Sequence, residues 1–202
     1  MIATPSAEEG TDDYGPDHWE RLYLEGRTPW DAGGSPASLE RYLADREPAG
    51  RALVPGCGSG YEAARLAAAG FDVLAVDFSP AAIGRARRLS ARRGVIFREA
   101  DFFTLPDRGF DCIYERAFLC ALPPALRSSW ATACARYLRP GGVLIGLFFV
   151  DPEATEGPPF GIGGDLLDAL LEPGFAKQED RASGGSLPVF AGRERWQVWE
   201  RR

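Results

Sequence analysis

Short apolar runs alternate with segments of helical periodicity from residue 51 onward. The runs at 51–55, 72–76, 95–98, 110–114 and 143–150 have the length and hydrophobicity of buried strands. The segments between them are long enough for helices that cross from one strand to the next. This alternation predicts a parallel sheet with right-handed crossovers, and continuously apolar strands predict helices on both of its faces.

The pattern changes near the carboxyl end. A short helix is predicted over 164–171, and two strand-like stretches follow at 175–182 and 194–200. These two stretches predict an antiparallel hairpin that closes the sheet. The chain is therefore predicted to be an α/β protein with a mostly parallel, seven-stranded sheet.

The chain before the first strand is predicted to have two parts. Residues 1–15 are polar and acidic, which is typical of a flexible tail. Trp19 and Tyr23 then share one helical face. Residues 16–202 are predicted to form a single domain whose first part, about 16–48, is helical.

Composition and charge argue against several classes of function. The 202 residues carry a net charge of −6 and the pI is about 5.0, so we expect no nucleic acid partner and no anionic membrane partner. No apolar run approaches the roughly 20 residues that span a bilayer, and no leader-like segment is visible, so a cytoplasmic location is expected. One group of arginines has helical spacing and is predicted to be a solvated helix face: Arg85, Arg87, Arg88, Arg92 and Arg93.

Metal and triad chemistry are not predicted. The four cysteines stand singly in the sequence, which favours buried thiols over disulfides or metal ligands. A zinc site or a Ser-His-Asp triad would depend on His18 alone, because the chain has one histidine.

A glycine-rich turn carries the clearest chemical signal. The order is a strand, Gly56-Cys57-Gly58-Ser59-Gly60, a helix, and a second strand that ends in Asp77. Glycines allow a ligand to approach the main chain, and an acid about 20 residues further on accepts hydrogen bonds from ribose hydroxyls. The sequence therefore predicts an adenosine site, the alternative being a glycine-rich turn beside an unrelated acid.

The details of the turn favour S-adenosylmethionine over a dinucleotide. Tyr61 stands where the third glycine of the dinucleotide pattern would be, and S-adenosylmethionine has no phosphate to place at a helix N-terminus. After the third strand, Asp101 is expected to meet the adenine amino group and Phe102 the ring, unless Asp101 only caps a turn. An NAD(P)-dependent oxidoreductase and a non-catalytic S-adenosylmethionine-binding module remain as alternatives.

Several motifs together resemble a known family. The blocks TPWD, VPGCGSGYE, VDFSP, ADFF, LRPGG and GPPF are similar to those of class I S-adenosylmethionine-dependent methyltransferases. Within that class, residues 17–201 resemble the thiopurine methyltransferase superfamily, in particular its thiol and halide methyltransferase branch. The resemblance implies a Rossmann-like fold and transfer of a methyl group to a small soft nucleophile: a thiol, a halide, a selenium species or a thiopurine.

The resemblance also implies roles for particular residues. The N-terminal helical part becomes a lid whose aromatic residues cover the cofactor, and Arg116 lies near the methyl acceptor. The full cofactor-binding set is Trp19, Tyr23, Trp30, Gly56, Cys57, Gly58, Asp77, Phe78, Asp101, Phe102 and Glu115. The three lid aromatics either hold the sulfonium or belong to the core.

Two features depart from the thiol and halide branch. Glu115 stands where an aspartate is usual, and Arg116 is a feature of the thiopurine branch. Arg116 is expected either to stabilise an anionic acceptor or to pair with Glu115 or Asp111. The expected partners are a small-molecule acceptor and, at most, a second copy of the chain, as a monomer or weak homodimer.

Overall fold

A computed structural model describes residues 14–44, 46, 50–92 and 94–202. The tail predicted for 1–15 lies outside the described residues except at its last two positions, as do Arg93 and part of the end of the predicted lid. The six helices of the described chain are α1 (Pro16–Leu24), α2 (Ala37–Ala44), α3 (Tyr61–Ala69), α4 (Pro80–Leu89), α5 (Arg127–Tyr137) and α6 (Gly164–Leu171). The seven strands are β1 (Arg51–Pro55), β2 (Asp72–Asp77), β3 (Val95–Glu99), β4 (Phe110–Arg116), β5 (Leu138–Phe149), β6 (Phe175–Ala182) and β7 (Glu194–Arg201).

The seven strands form one sheet in the order β3-β2-β1-β4-β5-β7-β6. The first five strands pair in parallel, and β7 lies antiparallel between β5 and β6. The predicted Rossmann-like α/β fold with a C-terminal antiparallel hairpin is therefore confirmed. In this order β1 lies between β2 and β4, so the strand order reverses direction at β1. Ligands bind in such sheets at the carboxyl ends of the strands at this switch point.

Each face of the sheet has its own apolar core. Successive residues of a strand point to opposite faces of the sheet. Leu53 therefore belongs to the same core as Trp130 of α5, whereas Ala52 and Val54 belong to the core that contains Leu66 of α3. All of these side chains are buried. Both faces are covered, as the continuously apolar strands predict.

One predicted strand begins earlier than expected. The Pro-Gly-Gly sequence at 140–142 predicts a turn before a strand at 143–150, whereas β5 already begins at Leu138, which pairs with Phe110. The pairing shifts register between Phe110 and Cys112, and this irregularity accommodates Pro140 within the strand.

No helix in the described part of the chain is both long and apolar enough to cross a membrane.

Candidate active site

A cavity of about 430 Å³ lies at the carboxyl ends of the parallel strands. Its two halves are defined by the elements that line them. We call the first the β2–β3 half, lined by Asp77, Phe78, Asp101 and Phe102, and the second the β4–β7 half, lined by Arg116, Ala117, Cys120, Pro158 and Phe190. The glycine-rich turn after β1 lies between them. A further wall is formed by α1 and by the loop of residues 25–36 that follows it, which we call the Trp30 loop.

The glycine-rich turn exposes main chain to the cavity, and it has no room for side chains. Gly56 and Gly58 have φ values of +55° and +50°, which L-residues with side chains rarely adopt. A Cβ atom at Gly56 would lie 2.5 Å from the Phe118 ring, and one at Gly58 would lie 2.7 Å from the Tyr23 hydroxyl. The turn is held to the sheet by the N–H of Cys57, which donates to the carbonyl of Val76 at 3.0 Å.

Asp77 lies at the end of β2 and faces the glycine-rich turn. Its carboxylate accepts hydrogen bonds from the main-chain N–H of Gly58 at 3.1 Å and of Ser79 at 3.0 Å. Burial raises the pKa of Asp77 to about 6; the two N–H donors act against this rise, and the nearby carboxylate of Glu20 adds to it. Each carboxylate oxygen can accept a second hydrogen bond, so Asp77 can also bind a ligand's hydroxyls.

Trp19, Tyr23 and Trp30 line the cavity together. The Trp30 indole N–H donates to the Tyr23 hydroxyl at 3.2 Å, and the Trp30 ring meets the Trp19 ring edge to face at 5.3 Å between centroids. Burial also raises the pKa of Tyr23 well above its usual range, so the hydroxyl stays neutral. All three residues line the cavity, and Trp30 also packs against a small buried cluster.

Two acidic residues that the sequence analysis did not single out fix this aromatic wall. Glu20 of α1 accepts hydrogen bonds from the Ser79 hydroxyl at 2.6 Å and from the Ala81 N–H at 3.0 Å. Asp31 accepts from the Ser59 hydroxyl and pairs with Arg85 at 2.8 Å. The prediction of a fully solvated arginine face is therefore wrong for Arg85. The only sequence signal for Asp31 is its place in the TPWD block.

Asp101 and Phe102 follow β3 at the far end of the β2–β3 half. The Asp101 carboxylate accepts from the Phe103 N–H at 2.9 Å and caps a short 3-10 helix, Phe102–Thr104. The turn-capping alternative is thus observed, and the same residue still lines the cavity. The Phe102 ring is buried against Phe118 at 5.2 Å between centroids.

Glu115 does not reach the cavity. Its side chain is 2% exposed, and Oε1 accepts from the N–H groups of Phe118 at 3.1 Å and Leu119 at 3.0 Å. Glu115 is thus the one member of the predicted cofactor-binding set that is not among the residues lining the cavity. Successive residues of a strand point to opposite faces of the sheet. Because the Arg116 side chain points into the cavity, the Glu115 side chain points to the other face of the sheet. We infer that Glu115 orders the turn after β4.

Arg116 lines the cavity at the end of β4, but its ion pairs differ from the expected ones. Its Nη1 lies 2.9 Å from Glu62 Oε1, and its Nε lies 3.9 Å from Glu194 Oε1. Burial lowers the pKa of Arg116, but Glu62 and Glu194 outweigh this and raise it, so the guanidinium stays charged. The expected pairing with Glu115 or Asp111 is wrong, because Asp111 pairs with Arg139 on the surface.

Comparison with known proteins decides the family. The model of the family described as thiopurine S-methyltransferase matches residues 14–202. The chain belongs to the thiopurine S-methyltransferase family. As a member of it, the chain is an S-adenosylmethionine-dependent S-methyltransferase, and the predicted cofactor and enzyme class are confirmed.

The curated relatives include both branches of this family. The chain is 36% identical to a probable thiol methyltransferase 2 of Arabidopsis thaliana over 162 residues, 77% of this chain and 71% of the relative. It is 32% identical to thiocyanate methyltransferase 1 of the same plant, over 91% of this chain and 84% of the relative. It is 31% identical to a thiopurine S-methyltransferase of Pseudomonas putida, over 80% and 82%.

Solved structures support the fold. A Burkholderia thailandensis 1,6-didemethyltoxoflavin-N1-methyltransferase with bound S-adenosylhomocysteine has a TM-score of 0.73 at 18% identity, over 100% of this chain and 93% of that one. The magnesium protoporphyrin IX methyltransferase of Synechocystis PCC 6803 with bound S-adenosylmethionine has a TM-score of 0.74 at 16% identity, over 98% and 100%.

The residues at the cavity fit S-adenosylmethionine. Bare main chain at Gly56 and Gly58 lines the cavity where a side chain would collide with Phe118 or Tyr23, and the buried Asp77 beside it retains hydrogen-bond capacity. Among the described residues no cluster of three or more histidine, cysteine or acidic side chains could hold a metal ion.

Proposed function

We propose that the chain methylates a small thiol, with the cofactor in the β2–β3 half of the cavity and the thiol in the β4–β7 half. The two-part cavity is the observation that carries this proposal, because its halves have different chemistry. Glycine main chain and carboxylates line the cofactor's side, whereas Cys120, Pro158 and Phe190 give the other side a largely apolar lining around the ion-paired Arg116. An apolar pocket suits a soft sulfur nucleophile.

The chain's own residues orient and enclose the reactants. We propose that Asp77 accepts hydrogen bonds from the ribose hydroxyls, that Asp101 and Phe102 contact the adenine, and that Gly56, Cys57 and Gly58 line the methionine part. Phe78 completes this side of the cavity. The faces of Trp19, Tyr23 and Trp30 attract a cation through their ring electrons.

When bound, S-adenosylmethionine supplies a methyl group on a positively charged sulfur, which the acceptor sulfur takes up while the thiol proton leaves to solvent, giving a methyl thioether and S-adenosylhomocysteine. The chain needs no strong base for this reaction, because a thiol with a pKa of about 8.5 is already a few per cent ionised near neutral pH. Its contribution is alignment of the two sulfur atoms and exclusion of water.

Three further properties complete the proposal. We propose a cytoplasmic location, which is supported by four buried cysteines without a disulfide. We propose that nucleic acid is not a partner, which is supported by the net charge of −6. We also propose that the chain acts as a monomer or weak homodimer.

An acceptor panel tests the proposed function. The purified chain is incubated with S-adenosylmethionine and one acceptor at a time: a small neutral thiol, iodide, thiocyanate, selenide or a thiopurine. Released S-adenosylhomocysteine is measured against a control without acceptor. We expect the thiol to give the highest kcat/KM. Absence of turnover with every thiol contradicts the proposal, and absence with every acceptor identifies a non-catalytic binding module.

A further inference from the structure

We propose that Glu62 and Glu194 neutralise Arg116, so that the β4–β7 half selects acceptors that enter uncharged over preformed inorganic anions such as thiocyanate and iodide. This inference rests on the proposed function, because it concerns the acceptor of the same site. It assigns Glu62 and Glu194 a part in acceptor specificity.

The fold places a carboxylate on two sides of the Arg116 guanidinium. Glu62 lies in the first turn of α3, directly after the glycine-rich turn, and Glu194 is the first residue of β7. Because β7 runs antiparallel, its start lies at the same edge of the sheet as the end of β4. The side chains are largely buried, with exposures of 9% for Arg116, 15% for Glu62 and 1% for Glu194.

The charges in this cluster leave no excess of positive charge. One guanidinium faces two carboxylates, and burial raises the pKa of Glu194. The net charge of Arg116, Glu62 and Glu194 together is −1 when Glu194 is ionised and zero when Glu194 is protonated. Arg116 is also the only arginine or lysine among the described residues that line the cavity, whereas Asp31, Asp77 and Asp101 line it as well.

An inorganic anion would therefore lose its hydration shell and meet a guanidinium whose charge is already compensated, with only one buried donor, the Arg116 Nε–H, left without a hydrogen-bond partner among the described residues. Such a loss is costly in a partly buried site. The positive sulfur of the donor attracts an anion more strongly than an uncharged thiol, and the carboxylates of Glu62 and Glu194 oppose this attraction. An uncharged thiol avoids this cost, because it enters the cavity protonated and releases its proton to solvent only once it is bound beside the donor.

Tyr114 indicates that the ligand carries a polar group. Tyr114 lines the cavity and is 1% exposed. Its hydroxyl has no hydrogen-bond partner among the described residues. Burial raises the pKa of this hydroxyl, and Glu62 raises it further, so it remains a neutral donor. A buried polar atom without a partner favours a ligand that supplies one.

The test compares wild type with Glu62→Gln at saturating S-adenosylmethionine and neutral pH. The probes are 2-mercaptoethanol, potassium thiocyanate and potassium iodide, and kcat and KM are measured for each. We expect wild type to prefer the thiol. In Glu62→Gln, kcat/KM for both anions should rise about tenfold relative to the thiol, mainly through KM, because Arg116 gains a free charge.

Glu40→Gln is the matched control. It removes the carboxylate that pairs with Arg65 at 2.6 Å, another arginine with a glutamate partner but outside the cavity. This variant should leave the ratio of anion to thiol unchanged. Glu194→Gln is a second variant of the cluster, should Glu62→Gln not fold, and it should shift the ratio in the same direction.

The outcomes separate this inference from the proposed function. A wild type that methylates both the thiol and the anions but prefers thiocyanate or iodide overturns the charge-compensation inference alone. Equal changes for thiol and anions in Glu62→Gln overturn it too. Loss of all turnover in the wild type overturns the proposed function together with it.

Discussion

The Glu115 carboxylate is buried and has only one oxygen in hydrogen bonds. Oε1 accepts from Phe118 and Leu119, while Oε2 has no partner among the described residues. Burial raises the pKa of Glu115 from 4.5 to about 7, and the two N–H donors act against this rise. The folded chain therefore retains a proton that the unfolded chain releases between these two pH values, so this residue lowers stability as pH rises through that window.

Glu115→Gln should remove this pH dependence. Gln keeps an oxygen for the two N–H donors and carries no charge at any pH. The difference in free energy of unfolding, variant minus wild type, should therefore increase by on the order of 2 kcal/mol between pH 5 and pH 8. Urea denaturation at several pH values measures it, with the exposed Glu172→Gln as control. A constant difference between Glu115→Gln and wild type across this range contradicts the assignment.

Residues whose roles follow from local spacing were predictable, and residues paired across the fold were not. The glycine-rich turn and Asp77 are joined by one strand-helix-strand unit, so their spacing predicts their meeting. Arg116 and Glu62 are 54 positions apart, and their pairing depends on β4 lying beside β1. Glu115 was assigned to the cofactor because sequence similarity does not show which face of a strand a residue occupies.

At the scale of elements, α1 and the Trp30 loop are attached to the domain mainly by polar contacts. Glu20 contacts the start of α4, and Asp31 joins Ser59 of the glycine-rich turn to Arg85 of α4. Of the nine residues of α1, only Leu22 is buried. These contacts therefore decide how firmly the aromatic wall covers the cavity.

Asp31→Asn should weaken cofactor binding without unfolding the domain. The change removes the ion pair with Arg85 and leaves the sheet unchanged. The side chains of this pair are 10% exposed for Asp31 and 30% exposed for Arg85. We expect the Kd for S-adenosylhomocysteine to rise about five- to tenfold, because binding must then order the Trp30 loop. Calorimetric titration measures the Kd. Glu25→Gln, which breaks the exposed pair with Arg27, is the control, and an unchanged Kd in Asp31→Asn would show that the loop needs no such anchor.

Element types were more predictable than element ends. Apolar runs predicted the five parallel strands, and two further strand-like stretches predicted β6 and β7. The start of β5 was missed, because Pro-Gly-Gly ordinarily signals a turn and a register shift beside Phe110 is not visible in the sequence. The position of β7 between β5 and β6 likewise depends on pairing rather than on local pattern.

At the scale of the whole molecule, one ligand would connect segments that are distant in the sequence. The cavity is lined by α1, the glycine-rich turn, the ends of β2 to β4, the loop between β5 and α6 and the loop before β7. A ligand that binds only the folded chain stabilises all of these together, by about 2.7 kcal/mol at a concentration of 100 times its Kd. For a domain of this size that corresponds to a rise in Tm of about 5–10 °C.

S-adenosylhomocysteine should therefore raise the Tm by this amount, and NAD should not. The difference is expected because Tyr61 occupies the place of the third glycine of the dinucleotide-binding pattern. Asp77→Ala should lose most of the shift at the same ligand concentration, since Asp77 is the buried acceptor at the glycine-rich turn. Differential scanning fluorimetry measures all three. An equal shift with NAD, or a full shift in Asp77→Ala, would mean that the adenosine is bound by other residues than those at the ends of β1 and β2.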